Sequence, residues 1–341
     1  MSETRTSPLK ILAVRGTGEA SLAPYEEWPV TVPVEWNILT SGSEIADRLP
    51  SMDILISGSF TTDMGRKADS LKAIMSTSTG YEGIDPSSVP PGCVVTMSYA
   101  HEIPIAEWVM MTAMVLDKEL FKSDRTLRSG SWDMFPPRHG PFRELHGRTM
   151  GIVGFGHIGE QTASLATAFG MRCIATGRRE STPDSAKQLG VTYCSGRDGL
   201  ERVLGESDFV VISTPLTDAT RDLIGEPELS LMKTTSYIFN PARGAIINEA
   251  ALFEALKRRR IAGAGLDAWY CYPNRQSDGD VYPANLPFWE LDNVVMTTHS
   301  SAATFGTFER RVPILAENID RLARGEPLLN VVPGLSHGQV P

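Results

Sequence analysis

A glycine-rich turn between an apolar strand and a helix most constrains the fold of this chain. The segment "GIVGFGHIGEQTASLATAFG" (151–170) carries the pattern G-x-G-x-x-G at Gly154, Gly156 and Gly159. The first glycine permits a tight turn, the second lets backbone approach a pyrophosphate, and the third lets helix and strand pack closely. The amino end of the helix offers a positive pole to phosphates. This context predicts a dinucleotide-binding unit rather than an ordinary tight turn.

The end of the following strand decides which dinucleotide is expected. An acidic residue there would bond a ribose 2′-hydroxyl, but "MRCIAT" (171–176) is followed by Gly177, Arg178 and Arg179. Arginine forks match the geometry of a phosphate. We therefore expect NADP to be preferred. NAD stays possible, because Glu180 could serve it and the arginines could be ordinary loop charges.

Two stretches of alternating apolar and polar segments predict two α/β domains, a division that suits 341 residues. Short apolar runs predict strands of parallel sheets. These runs are 9–14, 53–59, 71–77, 94–98, 148–155, 171–176, 208–214, 236–242, 263–269 and 293–299. Residues 25–36 are interrupted by prolines and have no assignment. One long buried helix is expected over 103–130, and an amphipathic helix over 314–326 could pack back on the first domain.

Charge and composition exclude several classes of protein. The net charge of −9 leaves no basic footprint for nucleic acid. The most apolar stretch, 103–116, is interrupted by Glu107, so no membrane span is expected. The four cysteines lack C-x-x-C spacing, which argues against both a disulfide framework and a metal site. With no secretory signal visible, we expect a cytoplasmic protein that handles small molecules.

Three polar residues follow predicted strands of the second domain. Arg243 follows 236–242, Asp267 follows "GAGL", and His299 ends "NVVMTTH". Because strand carboxyl ends face the ligand crevice of an open α/β sheet, we expect these side chains to converge near a nicotinamide. Each could instead be structural, since a lone histidine usually is and an arginine can simply stabilise a turn.

In order and spacing, these motifs resemble the D-isomer-specific 2-hydroxyacid dehydrogenase family, and glyoxylate/hydroxypyruvate reductases within it. The matching segments are "STGYEGID" (78–85), "PIAEWV" (104–109), "RSGSW" (128–132), "ELHGRTMGIVGFGHIG" (144–159), "STPLTDATRDLIG" (213–225), "LSLMKTTSYIFNPARGAIINEAAL" (229–252) and "PFWELDNVVMTTHSSAAT" (287–304). The resemblance implies a Rossmann-like coenzyme domain (101–299) inserted in a flavodoxin-like substrate domain (1–100 and 300–341). It also implies a homodimer through the coenzyme domain.

The resemblance implies an oxidoreductase that reduces a small 2-oxo acid to a D-2-hydroxy acid with NAD(P)H, or catalyses the reverse. Arg243 would bind the substrate carboxylate, His299 would be the general acid–base, and Asp267 would hold the nicotinamide amide. The backbone of Ser78, Thr79 and Gly80 would hold the other side of the carboxylate. Further coenzyme contacts are expected at His157, Ile158, Thr214, Pro215, Pro241 and Ala242.

The chain departs from the family at Tyr272, in "GLDAWYCYP" (265–273), where the family has a glutamate that pairs with the histidine. A carboxylate partner raises the pKa of a histidine by about 1–2 units, whereas a tyrosine orients the ring without adding charge. Formate dehydrogenases of the same superfamily also lack the acid. Two alternatives stay open: a shifted substrate such as glyoxylate, hydroxypyruvate or a phosphonate-bearing acid, and a dinucleotide-sensing protein with little turnover, as corepressor relatives suggest. Arg243 and His299 favour the enzyme.

Overall fold

A computed structural model describes residues 7–14, 24–77, 80–81, 83–273, 281–332 and 334–335. The chain divides into two compact units. The first consists of Met1–Ala100 and Ala303–Pro341, and the second is His101–Ala302. The chain thus leaves the second unit a few residues after position 299, where the sequence placed the boundary.

The described residues form twelve strands and eleven α-helices. The strands are β1 (Leu9–Val14), β2 (Val34–Leu39), β3 (Ile54–Ile56), β4 (Ala73–Ser76), β5 (Val94–Met97), β6 (Thr149–Val153), β7 (Arg172–Gly177), β8 (Thr192–Ser195), β9 (Phe209–Ile212), β10 (Tyr237–Asn240), β11 (Gly263–Leu266) and β12 (Val294–Met296). The helices are α1 (Ile45–Arg48), α2 (Thr62–Gly65), α3 (Glu102–Asp117), α4 (Leu120–Arg128), α5 (Pro136–His139), α6 (His157–Ala168), α7 (Asp184–Gln188), α8 (Gly196–Glu206), α9 (Glu226–Leu231), α10 (Glu249–Lys257) and α11 (Phe305–Arg324).

The first unit contains a five-stranded parallel sheet in the order β2-β1-β3-β4-β5. This 2-1-3-4-5 order is the flavodoxin-like one. Strands β3, β4 and β5 are buried along their whole length, as expected when layers cover both faces of a parallel sheet. Strand β2 had no assignment from the sequence and lies at the sheet edge, with Glu35 exposed.

Helix α11 covers one face of this sheet. Leu315 and Ile319 belong to the same buried cluster as Ile11 and Ile54. The helix begins nine residues before the predicted start at 314, and Pro313 lies inside it. The prediction was wrong at this end, because the packing of α11 on the sheet keeps the helix continuous through Pro313 despite the cost of a proline inside a helix.

A buried carboxylate also ties α11 to its unit. Asp320 is 4% exposed and accepts hydrogen bonds from the Thr31 amide at 2.9 Å, the Thr31 hydroxyl at 2.5 Å and the Val32 amide at 3.2 Å. These donors are nearly three hundred residues away along the chain. The contact therefore joins the two separate segments that build the first unit.

The second unit contains a seven-stranded sheet in the order β12-β11-β10-β9-β6-β7-β8, and every strand pair is parallel. Counted within the unit, the order is 3-2-1-4-5-6-7. This is the Rossmann order with a seventh strand added at one edge. The fold class predicted from the sequence, an α/β protein with Rossmann-like architecture, is confirmed.

The single long helix expected over 103–130 is instead two helices, α3 and α4. The break lies at Glu119, whose φ of 47° places it in the left-handed region. The Lys118 ammonium donates to the Arg143 carbonyl, and the Glu119 carboxylate contacts His139 at 3.2 Å. These contacts hold the chain in a turn at Glu119. Helix α3 is largely buried, whereas no residue of α4 is buried. Among the described helices, none is long and apolar enough to cross a membrane.

We expect Asp320→Asn to lower the free energy of unfolding by about 1–3 kcal/mol, because an amide nitrogen cannot accept from the Thr31 or Val32 donors. The matched control is Glu317→Gln on the same helix. Glu317 is partly exposed and bonds Arg321 at 2.8 Å, so its loss should cost about 0–1 kcal/mol. Urea titration of both variants measures the difference, and equal losses would contradict a special role for Asp320.

Candidate active site

The turn after β6 brings backbone from two strands into close contact. Gly154 has a φ of 99°, and a Cβ there would lie 2.7 Å from the Thr214 amide nitrogen. The Ser213 hydroxyl donates to the Gly154 carbonyl at 2.6 Å. Both the positive φ and the close approach require glycine, so the end of β6 and the end of β9 can meet.

The amino end of α6 lies open directly after this turn. Gly156 is its N-cap residue and provides no side-chain cap, and a Cβ on Gly156 would meet nothing within 4 Å. A Cβ on Gly159 would lie 2.5 Å from the Gly154 carbonyl oxygen, so the helix packs closely on the turn. His157 is exposed and Ile158 is half-buried in the first turn. An uncovered helix terminus behind a glycine turn fits a pyrophosphate.

The end of β7 presents two guanidinium side chains to solvent. Arg178 and Arg179 are exposed, as is Glu180. The Tyr193 hydroxyl donates to the Arg179 carbonyl at 3.1 Å, and burial raises the pKa of Tyr193, which keeps this donor protonated. Tyr193 thus holds the loop at the position where a dinucleotide's adenosine ribose is expected.

The turn after β10 carries Arg243. Asn240 is buried. Its side chain accepts a hydrogen bond from the Ala242 amide at 3.1 Å and donates one to the Arg243 carbonyl at 2.9 Å, and these bonds shape the turn. A Cβ on Gly244 would lie 2.3 Å from the Trp269 carbonyl oxygen. The Arg243 turn therefore packs directly against the segment that follows β11. Two expected coenzyme contacts, Pro241 and Ala242, are buried in this turn, whereas two others, Thr214 and Pro215, follow β9.

Asp267 lies fully buried at the end of β11. Its carboxylate accepts from the Thr297 hydroxyl at 2.6 Å, the Ser300 amide at 2.9 Å, the Ser301 amide at 3.0 Å and the Ser301 hydroxyl at 2.5 Å. All four donors come from the turn after β12. Its expected contact with a nicotinamide amide stays a prediction.

His299 lies in that turn and faces Tyr272. The Tyr272 hydroxyl is 2.8 Å from His299 Nδ1, and the Trp269 amide donates to the same hydroxyl at 2.9 Å. His299 has a φ of 55°, a strained conformation that costs about 1–3 kcal/mol unless neighbours over-determine it. The structure therefore brings Tyr272 and His299 together.

Two indoles support the same turn. Trp269 is 6% exposed, and its Nε1 donates to the Thr297 carbonyl at 2.7 Å. Trp108 Nε1 donates to the Thr297 hydroxyl at 3.1 Å. Both indoles are thus hydrogen-bonded to Thr297, two positions before His299.

The substrate-loop residues expected from the sequence are only partly described. Ser78 and Thr79 lie outside the described residues, and Gly80 belongs to the first unit. Sequence reasoning did not identify Thr297, Ser300, Ser301 or Tyr193. A usable signal was present for the first three, because hydroxyl residues flank His299 in "TTHSS". Over the described ranges, no cluster of three His, Cys, Asp or Glu side chains could hold a metal.

Known proteins are similar in sequence along nearly the whole chain. A glyoxylate reductase of Korarchaeum cryptofilum is 32% identical over 334 residues, 95% of each chain. One from Thermococcus kodakarensis is 32% identical over 309 residues, 88% of this chain and 87% of the relative.

Solved structures show a similar fold along nearly the whole chain. An acyclic imino acid reductase in complex with NADPH and D-Arg is 25% identical, with a TM-score of 0.77 over 94% of this chain and 99% of its own. D-mandelate dehydrogenase of Rhodotorula graminis, at 22% identity, shares the fold with a TM-score of 0.78 over 96% of this chain and 98% of its own.

The family profile described as "D-isomer specific 2-hydroxyacid dehydrogenase, NAD binding domain" matches residues 110–301, more than half of the chain. This range contains the glycine turn, Arg243, Asp267 and His299. The resemblance inferred from the motifs is therefore confirmed. The chain belongs to the D-isomer-specific 2-hydroxyacid dehydrogenase family.

Proposed function

We propose that this chain reduces a small 2-oxo acid to a D-2-hydroxy acid with NADPH. One observation carries the proposal: a hydrogen bond of 2.8 Å fixes His299 against Tyr272 at the end of β12, in the sheet whose glycine turn fits a dinucleotide. The two glyoxylate reductases with 32% identity support this substrate class. The names of those relatives also make glyoxylate the first acid to test.

Arg243 would bind the substrate carboxylate. It begins the turn that Asn240 shapes and that packs against Trp269, so its backbone is fixed at the same edge of the sheet as His299. A planar fork of donors matches a carboxylate and can polarise the adjacent carbonyl. The side chain is half-buried, which strengthens a charge-assisted bond relative to an exposed one.

His299 would supply the proton. Since Tyr272 lies at Nδ1, we assign proton transfer to Nε2, which gives its proton to the carbonyl oxygen as that oxygen gains charge. A bound nicotinamide supplies the hydride to the carbonyl carbon. The imidazolium becomes the neutral imidazole that keeps its proton on Nδ1, so Nδ1 donates to the Tyr272 hydroxyl oxygen in both states.

The rival is a dinucleotide-sensing protein without turnover. A sensor needs the glycine turn but neither a carboxylate-binding guanidinium nor an oriented imidazole. The strained backbone at His299 favours the enzyme, because strain of this kind is retained at functional sites. Arg243 also favours the enzyme, whereas a tyrosine at position 272, in place of the glutamate expected from the family, favours the rival.

We further propose that the coenzyme is NADP, on the strength of Arg178 and Arg179. In the double variant Arg178→Ala/Arg179→Ala, we expect NADPH to bind about 10- to 100-fold more weakly, because one or two charge-assisted bonds to the 2′-phosphate are lost. NADH should change less than about threefold, since it lacks that phosphate. Fluorescence titration with both coenzymes measures the difference.

The matched control is Arg172→Ala. Arg172 is exposed at the opposite end of β7, so its loss should leave both coenzymes unaffected. Equal weakening of NADPH and NADH in the double variant would rule out a 2′-phosphate contact and return Glu180 to consideration as a ribose ligand.

The pH dependence of reduction tests His299 and Tyr272 together. Reduction needs imidazolium, so kcat/KM should fall as the pH rises through the pKa of His299. In Tyr272→Glu, the added carboxylate should raise the pKa of the imidazole, so activity should persist to a higher pH by about one unit. The measurement is kcat/KM against pH for wild type, Tyr272→Glu and Tyr272→Phe.

Tyr272→Phe removes the hydrogen bond without adding charge. We expect a lower kcat/KM, because the His299 ring loses its orientation. The pH range of activity should not extend to higher pH, because no charge is added. If all three proteins lost activity at the same pH, His299 would not be the proton donor for this reaction.

We also propose a homodimer in a reducing, cytoplasmic setting. Five large apolar side chains are exposed within 120–135: Leu120, Phe121, Leu127, Trp132 and Phe135. Exposed large apolar side chains concentrated in one segment are typical of an interface, and a second copy covers them most simply, since closed two-fold pairs dominate soluble assemblies. The four free thiols suit a reducing compartment.

Sedimentation velocity should therefore give about twice the chain mass of 37.2 kDa. Phe121→Asp should shift the protein towards monomer, because a buried unpaired carboxylate destabilises an interface. Phe305→Asp is the control, since Phe305 is 70% exposed outside this patch. A monomeric wild type, or dissociation by both variants alike, would contradict the proposed interface.

A further inference from the structure

Helix α3 packs unusually closely on the strand that ends before Asp267. A Cβ on Gly265 of β11 would lie 2.5 Å from Thr112 Cγ2 of α3, so the helix approaches the strand more closely than a larger residue would allow. Trp108 lies one turn before Thr112 and therefore on the same face of the helix. Its side chain is 6% exposed. The close packing thus brings a buried indole to the carboxyl end of β11.

This indole fixes the direction of a chain of hydrogen bonds. Trp108 Nε1 donates to the Thr297 hydroxyl oxygen at 3.1 Å, and the same hydroxyl donates to Asp267 Oδ1 at 2.6 Å. An indole nitrogen can only donate and an ionised carboxylate can only accept. The chain therefore runs in one direction, from Trp108 through Thr297 to Asp267, and the one hydroxyl proton of Thr297 is directed to the carboxylate.

The backbone of Thr297 is held as firmly as its side chain. Its amide donates to the Leu266 carbonyl at 3.0 Å, and its carbonyl accepts from Trp269 Nε1 at 2.7 Å. Leu266 and Trp269 lie on either side of Asp267 along the chain. The Thr297 hydroxyl is thus fixed relative to the carboxylate by bonds on both sides of it.

A fixed carboxylate matters because Asp267 is the residue expected to hold the nicotinamide amide. Asp267 is fully buried, and a hydrogen bond from a hydroxyl to an ionised group is short and strong. Such a bond limits rotation of the carboxylate, so its oxygens face one direction before the coenzyme arrives. An acceptor that is already oriented binds its donor with a smaller loss of conformational entropy.

We propose that Thr297 is a positioning residue for the coenzyme, which holds Asp267 in the orientation that accepts the N–H of the nicotinamide amide. Trp108 acts one step further away, because it directs the Thr297 hydroxyl to the carboxylate. The proposal rests on the proposed function, in which a nicotinamide coenzyme supplies the hydride and Asp267 holds its amide.

Two coenzymes that differ at the amide separate this role from a general structural one. Reduced 3-acetylpyridine adenine dinucleotide phosphate carries a methyl group where NADPH carries the amide nitrogen, so it lacks the N–H donors and keeps the carbonyl. A residue that acts through Asp267 should affect the binding of NADPH and spare this analogue. A residue that only stabilises the fold should affect both. Calorimetric titration gives the two Kd values without any turnover.

Thr297→Val keeps the shape of the side chain and removes its hydroxyl. We expect the Kd of NADPH to rise about tenfold, because Asp267 is no longer held, and the Kd of the analogue to change less than about twofold. Thr297→Ser keeps the hydroxyl, so both Kd values should stay within about threefold of wild type. Trp108→Phe removes only the donor that directs the hydroxyl and should raise the Kd of NADPH about threefold.

Thr298→Val is the matched control. Thr298 is the next residue along the chain and is exposed, and it lies outside the series of bonds from Trp108 to Asp267. The same change of hydroxyl to methyl at this position should leave the Kd values of NADPH and the analogue within about twofold of wild type.

The outcomes distinguish this proposal from the proposed function. Equal weakening of NADPH and the analogue in Thr297→Val would show a general structural role and overturn the proposal. Unchanged Kd values in that variant, or a wild type that bound the two coenzymes equally, would overturn it as well. If the wild type reduced no 2-oxo acid, the proposed function would fail, yet selective weakening of NADPH would still establish the role of Thr297. Should Thr297→Val not fold, Trp108→Phe carries the same comparison.

Discussion

The parallel direction of all seven strands in the second unit is the constraint on which the site depends. Because the strands run the same way, their carboxyl ends meet at one edge of the sheet. The glycine turn follows β6, Arg243 follows β10, Asp267 follows β11 and His299 follows β12. A single reversed strand would carry its functional residue to the opposite edge, about the length of a strand away.

Much of the fold was predictable because the parallel strands are buried on both faces. Runs such as 9–14 and 208–214 are mostly apolar, and burial of that kind leaves a clear signal. The rest depends on tertiary contacts. Strand β2 is an edge strand with mixed polarity, and the break at Glu119 is held by contacts with residues from 139 to 143. No local pattern encodes either feature.

The candidate site was likewise predictable only in part. That Arg243, Asp267 and His299 share one edge follows from where predicted strands end. The bonds from Ser300 and Ser301 to Asp267 could not be predicted, because they require the positive φ at His299. The contact of the Tyr272 hydroxyl with Nδ1 holds the imidazole from one side.

The central claim is that His299 gives a proton to a 2-oxo acid as it is reduced to the D product. The most direct test incubates wild type and His299→Gln with NADPH and a panel of 2-oxo acids beginning with glyoxylate, and resolves chiral products by chromatography. We predict NADPH consumption matched by D-2-hydroxy acid in the wild type, and a rate lower by about 10²–10⁴-fold in His299→Gln with NADPH still bound. An L product, or full activity in His299→Gln, would contradict the account.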